Sequence, residues 1–133
     1  TDVNIGTGWH HLAICRRAGT SFFYVDGREV FSSATIPVTP VGNFVIGAGN
    51  SDLPRYYNDK IAHVKVFEAG LSRTEVISEM NSYRPVYRQN LKLWMPVDEG
   101  TGTVVKDYSG VFTSSLATTG GANWQPGPPI SHD

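Results

Sequence analysis

Polar and apolar residues alternate along most of this chain with the two-residue period of a β-strand. Residues 9–16 alternate in this way, and residues 21–25 form a second run that is rich in aromatic and β-branched side chains. Asp26 and Gly27 follow this run and precede a third at 29–31. Because a type I′ turn needs a positive φ at both central residues and favours Asp-Gly, the pattern predicts a β-hairpin here.

Later stretches are also predicted as strands, at residues 43–46, 60–67, 91–97 and 103–107. Pro37 and Pro40 interrupt the chain before the first of them, since proline cannot donate to a β-ladder. Residues 50–59 are polar and predict a loop. Short strands separated by turns about every 8–12 residues are typical of an antiparallel β-sandwich.

One segment has helical periodicity instead. Ser72 is followed three residues later by Glu75, which is the pattern of a capping box. Val76 and Met80 then lie on one face of the helix that such a box begins. We predict a short helix over residues 72–81.

Composition limits the class of partner. Eleven Lys and Arg oppose 12 Asp and Glu, which gives a formal net charge of −1. The chain therefore has no basic excess to neutralise a phosphate backbone, and we expect no nucleic-acid partner. No apolar run approaches the roughly 20 residues that cross a bilayer, so we expect no membrane insertion.

Length and cysteine content also bound the fold. At 133 residues the chain has the length of one domain. Its only cysteine, Cys15, excludes an internal disulfide, and its mid-strand position predicts a buried apolar side chain rather than a nucleophile. The chain starts at Thr1 without a leader-like segment, so we expect either a processed product or part of a longer protein.

Three motifs in the chain carry a resemblance. The first is W-H-H-L-A at 9–13 with Y-V-D-G at 24–27. The second runs from N-D-K-I at 58–61 to G-L-S-R-T-E at 70–75, and the third joins L-K-L-W-M-P-V-D-E-G-T-G-T at 91–103 to D-Y-S-G at 107–110. Together they resemble the laminin G-like modules of the concanavalin A-like lectin/glucanase superfamily. The resemblance implies an all-β fold, an antiparallel jelly-roll-like β-sandwich with one short helix.

The third motif is out of the family's order. It usually opens the module, whereas here it follows the strand and helix that usually close one. Within a single laminin G-like domain over 1–133, residues 1–81 resemble the closing half, residues 82–90 a crossover, and residues 91–133 added strands with an extended tail. The family's middle strands have no counterpart.

This order leaves two ways to complete the sandwich. In one, the late strands fill the vacant places of a reduced or permuted sandwich. In the other, a strand from a neighbouring copy completes the sheet by β-augmentation. Completion from head to tail that does not close a ring produces a filament.

Catalysis is not expected. The superfamily's glucanases carry an E-x-D-x-x-E strand, and this spacing does not occur in the chain. His10 and His11 are adjacent on a predicted strand, so they project to opposite faces and do not readily share one metal ion.

Three sites remain as candidates. Calcium prefers several oxygen ligands, and among the loop acids Asp98 and Asp107 are our candidate ligands. The alternative, which the sequence favours, is that these acids are solvated loop residues without an ion. A sugar site needs an exposed aromatic platform with polar neighbours, and the best candidates are Tyr56 and Tyr57 with Asn50, Asp52 and Asn58. These tyrosines are equally typical of half-buried anchors.

The third candidate is a protein interface in the crossover. Tyr83, Arg84, Tyr87 and Arg88 are of the types enriched at interfaces. An ordinary strap across the sandwich would have the same sequence, so both interpretations stay open.

From these patterns we expect a non-catalytic structural subunit. It would self-associate through β-sandwich or strand-complementation contacts with copies of itself, as an extracellular fibre, a pilus-like filament or a virion surface layer. The alternative is a lectin-like, carbohydrate-binding module, calcium-dependent or not, of a longer extracellular or phage-tail protein. Both interpretations place the chain outside the cell, at the cell surface or on a virion.

Overall fold

A computed structural model describes residues 4–34, 46–47, 57–111, 116–117 and 123–130. The elements in chain order are β1 Leu12–Arg17, β2 Thr20–Val25, β3 Arg28–Ser33, β4 Val64–Phe67, α1 Arg73–Met80, β5 Leu91–Met95, β6 Val104–Val105 and β7 Leu116–Ala117. They form a β1-β2-β3 sheet and the pairs β4-β5 and β6-β7. Every pair is antiparallel. This confirms the predicted class, an antiparallel jelly-roll-like β-sandwich with one short helix.

The predicted hairpin is confirmed. Asp26 has φ 50° and Gly27 has φ 74°, as a type I′ turn requires. The turn packs against α1, because a Cβ on Gly27 would lie 2.7 Å from Cγ1 of Ile77. A glycine at this position therefore serves both the turn conformation and the contact with the helix.

The first strand starts later than predicted. Residues 9–11 were predicted as part of it, but β1 begins at Leu12 because the histidines before it bind the turn instead. His11 N–H donates to Oδ1 of Asp26 at 2.8 Å, and the Asp26 N–H donates back to the His11 carbonyl at 2.8 Å. His10 Nδ1 lies 2.9 Å from the other Asp26 oxygen.

One face of the β1-β2-β3 sheet packs against α1, and we call it the inner face. Cys15 and Tyr24 are buried there with Leu71 and Val76. Burial raises the pKa of the Cys15 thiol. The expectation of a buried apolar cysteine is therefore confirmed.

The helix is confirmed with its cap. The Ser72 side chain accepts from the Glu75 backbone N–H, and the Glu75 carboxylate accepts from the Ser72 N–H at 2.7 Å. This hydrogen bond holds the pKa of Glu75 below its usual value. The helix ends at Met80, and Asn81 caps it.

The second sheet is shorter than the alternation predicted. β4 covers only the end of the predicted 60–67 strand, because His63 has a positive φ of 54° that breaks the extended backbone. β5 ends before Pro96, which has no N–H to donate, and Val97 has φ 61°. The predicted strand at 103–107 is reduced to β6.

The second core lies on one face of β4-β5. Leu93, Met95 and Val105 are buried there, with Val64, Val66, Val97 and Trp124 packed against them. A late strand thus pairs with a strand that precedes the helix. Most of the predicted strand at 43–46 lies outside the described residues. In the part of the chain that the structure describes, none of the helices has the length and apolar character of a membrane span.

Candidate interaction surface

The face of the β1-β2-β3 sheet that points away from α1 is apolar and open to solvent. We call it the outer face, and its apolar side chains are Leu12, Ile14, Phe23, Val25 and Phe31. Leu12 is 64% exposed, Ile14 72% and Phe31 50%. Contiguous apolar surface of this kind marks interaction sites on soluble proteins.

The sequence contains a feature that indicates this surface, although the two-residue strand period alone does not reveal it. In β1, Leu12 and Ile14 on the outer face alternate with Ala13 and Cys15 on the inner face, and all four side chains are apolar. Apolar residues at both alternate positions are typical of a strand that is buried on both faces. The helix covers the inner face. At the turn end of the outer face, Asn4 and Ile5 line a pocket together with Val25 and Arg28, while Leu12 and Ile14 stay largely exposed.

Both border strands of this sheet add to the open surface. In the described part of the chain, β1 and β3 each pair only with β2. A border strand presents backbone N–H and C=O groups that another strand can pair with. The described β1-β2-β3 sheet therefore offers both an apolar face and two edges.

The predicted sugar-binding residues fall largely outside the described residues. Asn50, Asp52 and Tyr56 cannot be placed for this reason. Tyr57 is 58% exposed, and its backbone N–H donates to the Gly47 carbonyl at 2.9 Å. Asn58 beside it is also exposed. Carbohydrate binding by this loop stays a prediction.

The predicted metal ligands lie in different surroundings. Asp107 is buried, and its Oδ1 accepts from the backbone N–H groups of Trp94 and Ser109, both at 2.9 Å. Its Oδ2 accepts from the Ser109 hydroxyl at 2.8 Å. The carboxylate thus ties β5 to the loop after β6, and a cation at Asp107 would compete with these donors.

Asp98 is exposed and binds an aromatic hydroxyl instead. The Tyr83 hydroxyl donates to its Oδ2 at 2.5 Å. Across the residues that the structure describes, no group of three or more His, Cys, Asp or Glu side chains could hold a metal ion. Calcium binding at Asp98 and Asp107 stays a prediction.

The predicted interface segment is anchored as a strap, which we define as residues 82–88. The N–H groups of Val86 and Tyr87 both donate to Oε1 of the buried Glu79 at 2.8 Å. Lys65 Nζ donates to the other Glu79 oxygen at 2.8 Å and to the Ser82 carbonyl at 2.6 Å. Burial lowers the pKa of Lys65, although Glu79 opposes this shift.

The strap leaves some of its predicted interface residues accessible. Arg84 and Arg88 are exposed, whereas Tyr83 and Tyr87 are half-buried. The contact of Tyr83 with Asp98 brings together two residues that the sequence analysis assigned to different sites. Burial, followed by this hydrogen bond, raises the pKa of Tyr83 to about 12.

An aromatic cluster surrounds Tyr83. Its ring centroid lies 5.4 Å from that of His63 and 5.8 Å from that of Trp94, both edge to face. Trp94 in turn lies 5.9 Å from Tyr108, which is 47% exposed. The sequence analysis missed this cluster, because its members come from four separate segments.

A groove lies beside this cluster, between the ends of the second sheet and residues 124–128. Its volume is about 300 Å³, and its walls include His63, Asp98, Trp124 and Gln125. The Trp124 indole N–H donates to the Gly102 carbonyl at 2.8 Å, which fixes the ring. An aromatic ring beside a carboxylate and an amide can bind polar ligands that have one apolar side.

Comparison with known proteins places these observations in a wider context. The family model described as concanavalin A-like lectin/glucanases superfamily matches residues 2–77, and no curated protein matches the chain. An S-layer domain-containing protein from Clostridium thermocellum is similar in crystal structure, at 22% sequence identity and a TM-score of 0.47. The similarity covers 59% of this chain and 41% of that structure.

Proposed function

We propose that this chain, which belongs to the concanavalin A-like lectin/glucanase superfamily, is a non-catalytic structural subunit that self-associates at a surface outside the cell. The products would be an extracellular fibre, a pilus-like filament or a virion surface layer. The observation that carries this proposal is the open apolar outer face of the β1-β2-β3 sheet. Sandwich folds bury such a face against a second sheet.

The size of the apolar surface sets the strength of association to expect. Full burial of a Leu, Ile, Val or Phe side chain contributes about 1.5–3 kcal/mol. The five apolar side chains of the outer face are about half exposed on average. Their burial in a contact between two copies would therefore contribute roughly 8–15 kcal/mol to the free energy of association. Association itself costs about 4–15 kcal/mol. A single contact of this kind is therefore weak to moderate, and an ordered layer would need a second contact on each subunit.

The border strands can supply that second contact. β-Augmentation pairs an exposed edge with a strand of a neighbouring molecule through backbone hydrogen bonds. A contact that joins different surfaces on the two partners extends into a filament unless the rotation closes a ring. Among the described residues β1 and β3 pair only with β2, which is compatible with growth of this kind.

The buried carboxylates support a structural role rather than a catalytic one. Among the described residues, Glu79 and Asp107 are the buried acids. Glu79 binds Lys65 and the strap, and Asp107 binds the backbone of Trp94 and Ser109. An acid–base pair needs a carboxylate that faces the substrate. These two carboxylates instead hold segments of the fold together.

Light scattering after size exclusion tests the proposal, combined with electron microscopy of the purified chain. The apparent mass should rise with protein concentration, and ordered assemblies should form at high concentration. A chain that stays monomeric up to millimolar concentration would rule the proposal out.

A second candidate is a carbohydrate-binding module, which the Trp124 groove favours. Glycan titrations of Trp124→Ala and Tyr57→Ala would show whether the groove or the predicted loop binds the sugar. Repeating the titrations with calcium and with a chelator would test the predicted ion. Loss of binding in one variant, with an unchanged melting temperature, would assign the site. Absence of glycan binding by the native chain would remove this candidate.

A further inference from the structure

We infer that the groove beside Trp124 binds a small organic cation that carries a methylated ammonium group. Such binding does not depend on the proposed self-association, because the groove lies at the ends of the second sheet and includes no residue of the outer face. It also differs from the second candidate function, in which the ligand is a sugar. The charge and the aromatic wall of the groove favour a cation over a neutral sugar.

The charge of the groove is negative. Asp98 lines it, and the described residues of its walls include neither lysine nor arginine. In the described part of the chain, no ion pair joins Asp98 to a basic side chain. Arg84 is near enough for its charge to act on Tyr83, but it is exposed and does not contact Asp98. The negative charge of Asp98 is therefore not balanced by a side chain in contact with it.

Tyr83 holds the Asp98 carboxylate in place without neutralising it. Burial, followed by the hydrogen bond to Asp98, raises the pKa of Tyr83 to about 12, so its hydroxyl stays a neutral donor near neutral pH. The hydroxyl donates to Oδ2 of Asp98, and no described residue donates to Oδ1. Oδ1 is therefore the oxygen that a cation in the groove would approach.

Glu99 adds a second negative charge next to Asp98. Its Oε1 accepts from the Lys106 backbone N–H at 2.8 Å, whereas its Oε2 is buried and has no hydrogen-bond partner among the described residues. The Lys106 ammonium lies 5.0 Å from the centre of the Tyr108 ring and forms no ion pair with Glu99. Burial of a charged group without a partner is costly. A cation bound near Asp98 would lower this cost.

Trp124 supplies an aromatic face that is fixed before any ligand binds. Its indole N–H donates to the Gly102 carbonyl at 2.8 Å, and its ring packs against the second core. The face of an aromatic ring attracts a cation that lies within about 6 Å of its centre, and tryptophan does so most strongly. Because the ring is already ordered, binding loses little side-chain entropy there.

The remaining walls favour a methylated ammonium group over a primary one. Ala62, Pro96 and Val97 line the groove with apolar side chains. A primary ammonium group has three N–H donors, and each one that loses water without gaining an acceptor carries a desolvation cost. A quaternary group has no N–H, and its methyl groups can contact the apolar walls. The groove volume of about 300 Å³ suits a molecule of the size of choline.

A titration with matched small probes tests this inference. Choline is compared with its neutral carbon isostere, in which a tert-butyl group replaces the trimethylammonium group, and with ethanolamine, phosphocholine and glucose. Nuclear magnetic resonance would follow the Trp124 indole signal at about pH 8, above the ordinary pKa of histidine, since His63 also lines the groove. We expect choline to bind at least about tenfold more tightly than the isostere. Ethanolamine and glucose should bind more weakly than choline. Phosphocholine should also bind more weakly, because its phosphate approaches the same carboxylates.

Two variants separate the charge of the groove from its aromatic face. Asp98→Asn keeps an acceptor for the Tyr83 hydroxyl and should weaken choline binding at least about tenfold while leaving the isostere unchanged. Glu29→Gln is the matched control, because it removes one negative charge from an exposed position on β3. Trp124→Leu should weaken choline binding severalfold, and Trp124→Phe, which keeps an aromatic ring, should weaken it less. Melting temperatures would show that each variant folds.

The outcomes distinguish this inference from both candidate functions. Equal binding of choline and its isostere, or unchanged choline binding in Asp98→Asn, would overturn the assignment of a cation. Glucose binding that is tighter than choline binding would also overturn it and would assign the groove to the second candidate function. Phosphocholine binding that is tighter than choline binding would show that the groove prefers a zwitterionic headgroup, against this inference. The oligomeric state of the native chain tests the proposed self-association separately.

Discussion

The two principal sheets of this protein differ in how their faces are covered. In the β1-β2-β3 sheet, the inner face packs on α1 while the outer face is open. In the β4-β5 sheet, one face packs against Val105 and Trp124. Its other face carries Lys65 and Trp94, which contact Glu79 and the aromatic cluster. The second sheet is thus covered on both sides by its own chain.

The two sheets also differ in how far the family match includes them. The matched residues, 2–77, contain the first sheet, β4 and the start of α1. The strap and β5, which complete the second sheet, lie beyond the match. The late segment therefore completes the sheet next to it, whereas the described residues contain no equivalent layer for the outer face. We therefore expect an assembly contact at the outer face.

The largest expected effect is at the buried ion pair of the second sheet. Glu79→Gln keeps the acceptor for the Val86 and Tyr87 N–H groups but leaves Lys65 buried without its counter-charge. Removal of one partner of a buried pair lowers the free energy of unfolding by about 3–5 kcal/mol. Chemical denaturation would measure the loss.

The matched control for this change is an exposed ion pair of the second sheet, between Lys92 of β5 and Glu68, the residue after β4. Lys92 Nζ lies 2.7 Å from Oε2 of Glu68, and both side chains are largely accessible. Solvent screens such a pair, so Glu68→Gln should change the free energy of unfolding far less than Glu79→Gln. Equal losses in the two variants would contradict the assignment of Glu79 as the anchor of the strap.

Truncating one leucine in each sheet compares the two faces directly. Leu93→Ala removes a buried side chain of the second core and should lower the free energy of unfolding by about 2–5 kcal/mol. Leu12→Ala removes an exposed side chain and should change the stability of the monomer by only about 0.5 kcal/mol. Denaturation at low protein concentration would measure both.

The same pair of variants also separates stability from assembly. Leu12→Ala should weaken self-association, because Leu12 lies on the outer face, whereas Leu93→Ala should reduce it only through loss of folded protein. Concentration-dependent light scattering would distinguish these effects. If Leu12→Ala lowered the stability of the monomer as much as Leu93→Ala does, the outer face would have to be covered within the chain.

The smallest expected effect is on the titration of His10 and His11, which precede β1. The hydrogen bond to Asp26 raises the pKa of His10 above 6.5, while burial, and then the charge of Lys65, lowers that of His11 below 6.5. Nuclear magnetic resonance titration should resolve two histidines on opposite sides of 6.5. In Asp26→Asn the His10 value should return toward 6.5, and two unchanged values would contradict the contact.

The signs of these shifts give the pH dependence of stability. The His10 contribution is complete below pH 6.5 and is lost as the pH rises through its folded value. The His11 contribution is complete above pH 6.5 and is lost as the pH falls through its folded value. Asp26, whose pKa is lowered mainly by the His10 contact, contributes above pH 3.8 and loses this contribution in acid.

Local features of the fold were predictable from the sequence to different extents. The Asp26-Gly27 turn and the Ser72–Glu75 capping box are contained within a few consecutive residues, so their patterns predicted them correctly. The start of β4 was predicted too early in the chain, and the end of β5 too late. There the positive φ values of His63 and Val97 break the strands without any change in the polar–apolar alternation.

The candidate sites depended more on contacts between distant segments. Nothing in the sequence joins Tyr83 to Asp98, or Trp94 to Asp107, because each pair is separated by more than ten residues and meets only in the folded chain. The anchoring of the strap by Glu79 likewise needs the helix and the second sheet to be in place. Pattern reasoning named some of these residues but assigned them to separate sites.

By itself, the order of residues determined the strand period, the turn, the helix cap and the membership of the family, because each depends on near neighbours or on a recurring motif. Only the tertiary structure decided which face of a strand α1 would cover and which would stay open. Both faces of β1 are apolar, so local hydrophobicity favours burial of each. The choice between them depends on the position of a helix that lies about 60 residues further along the chain.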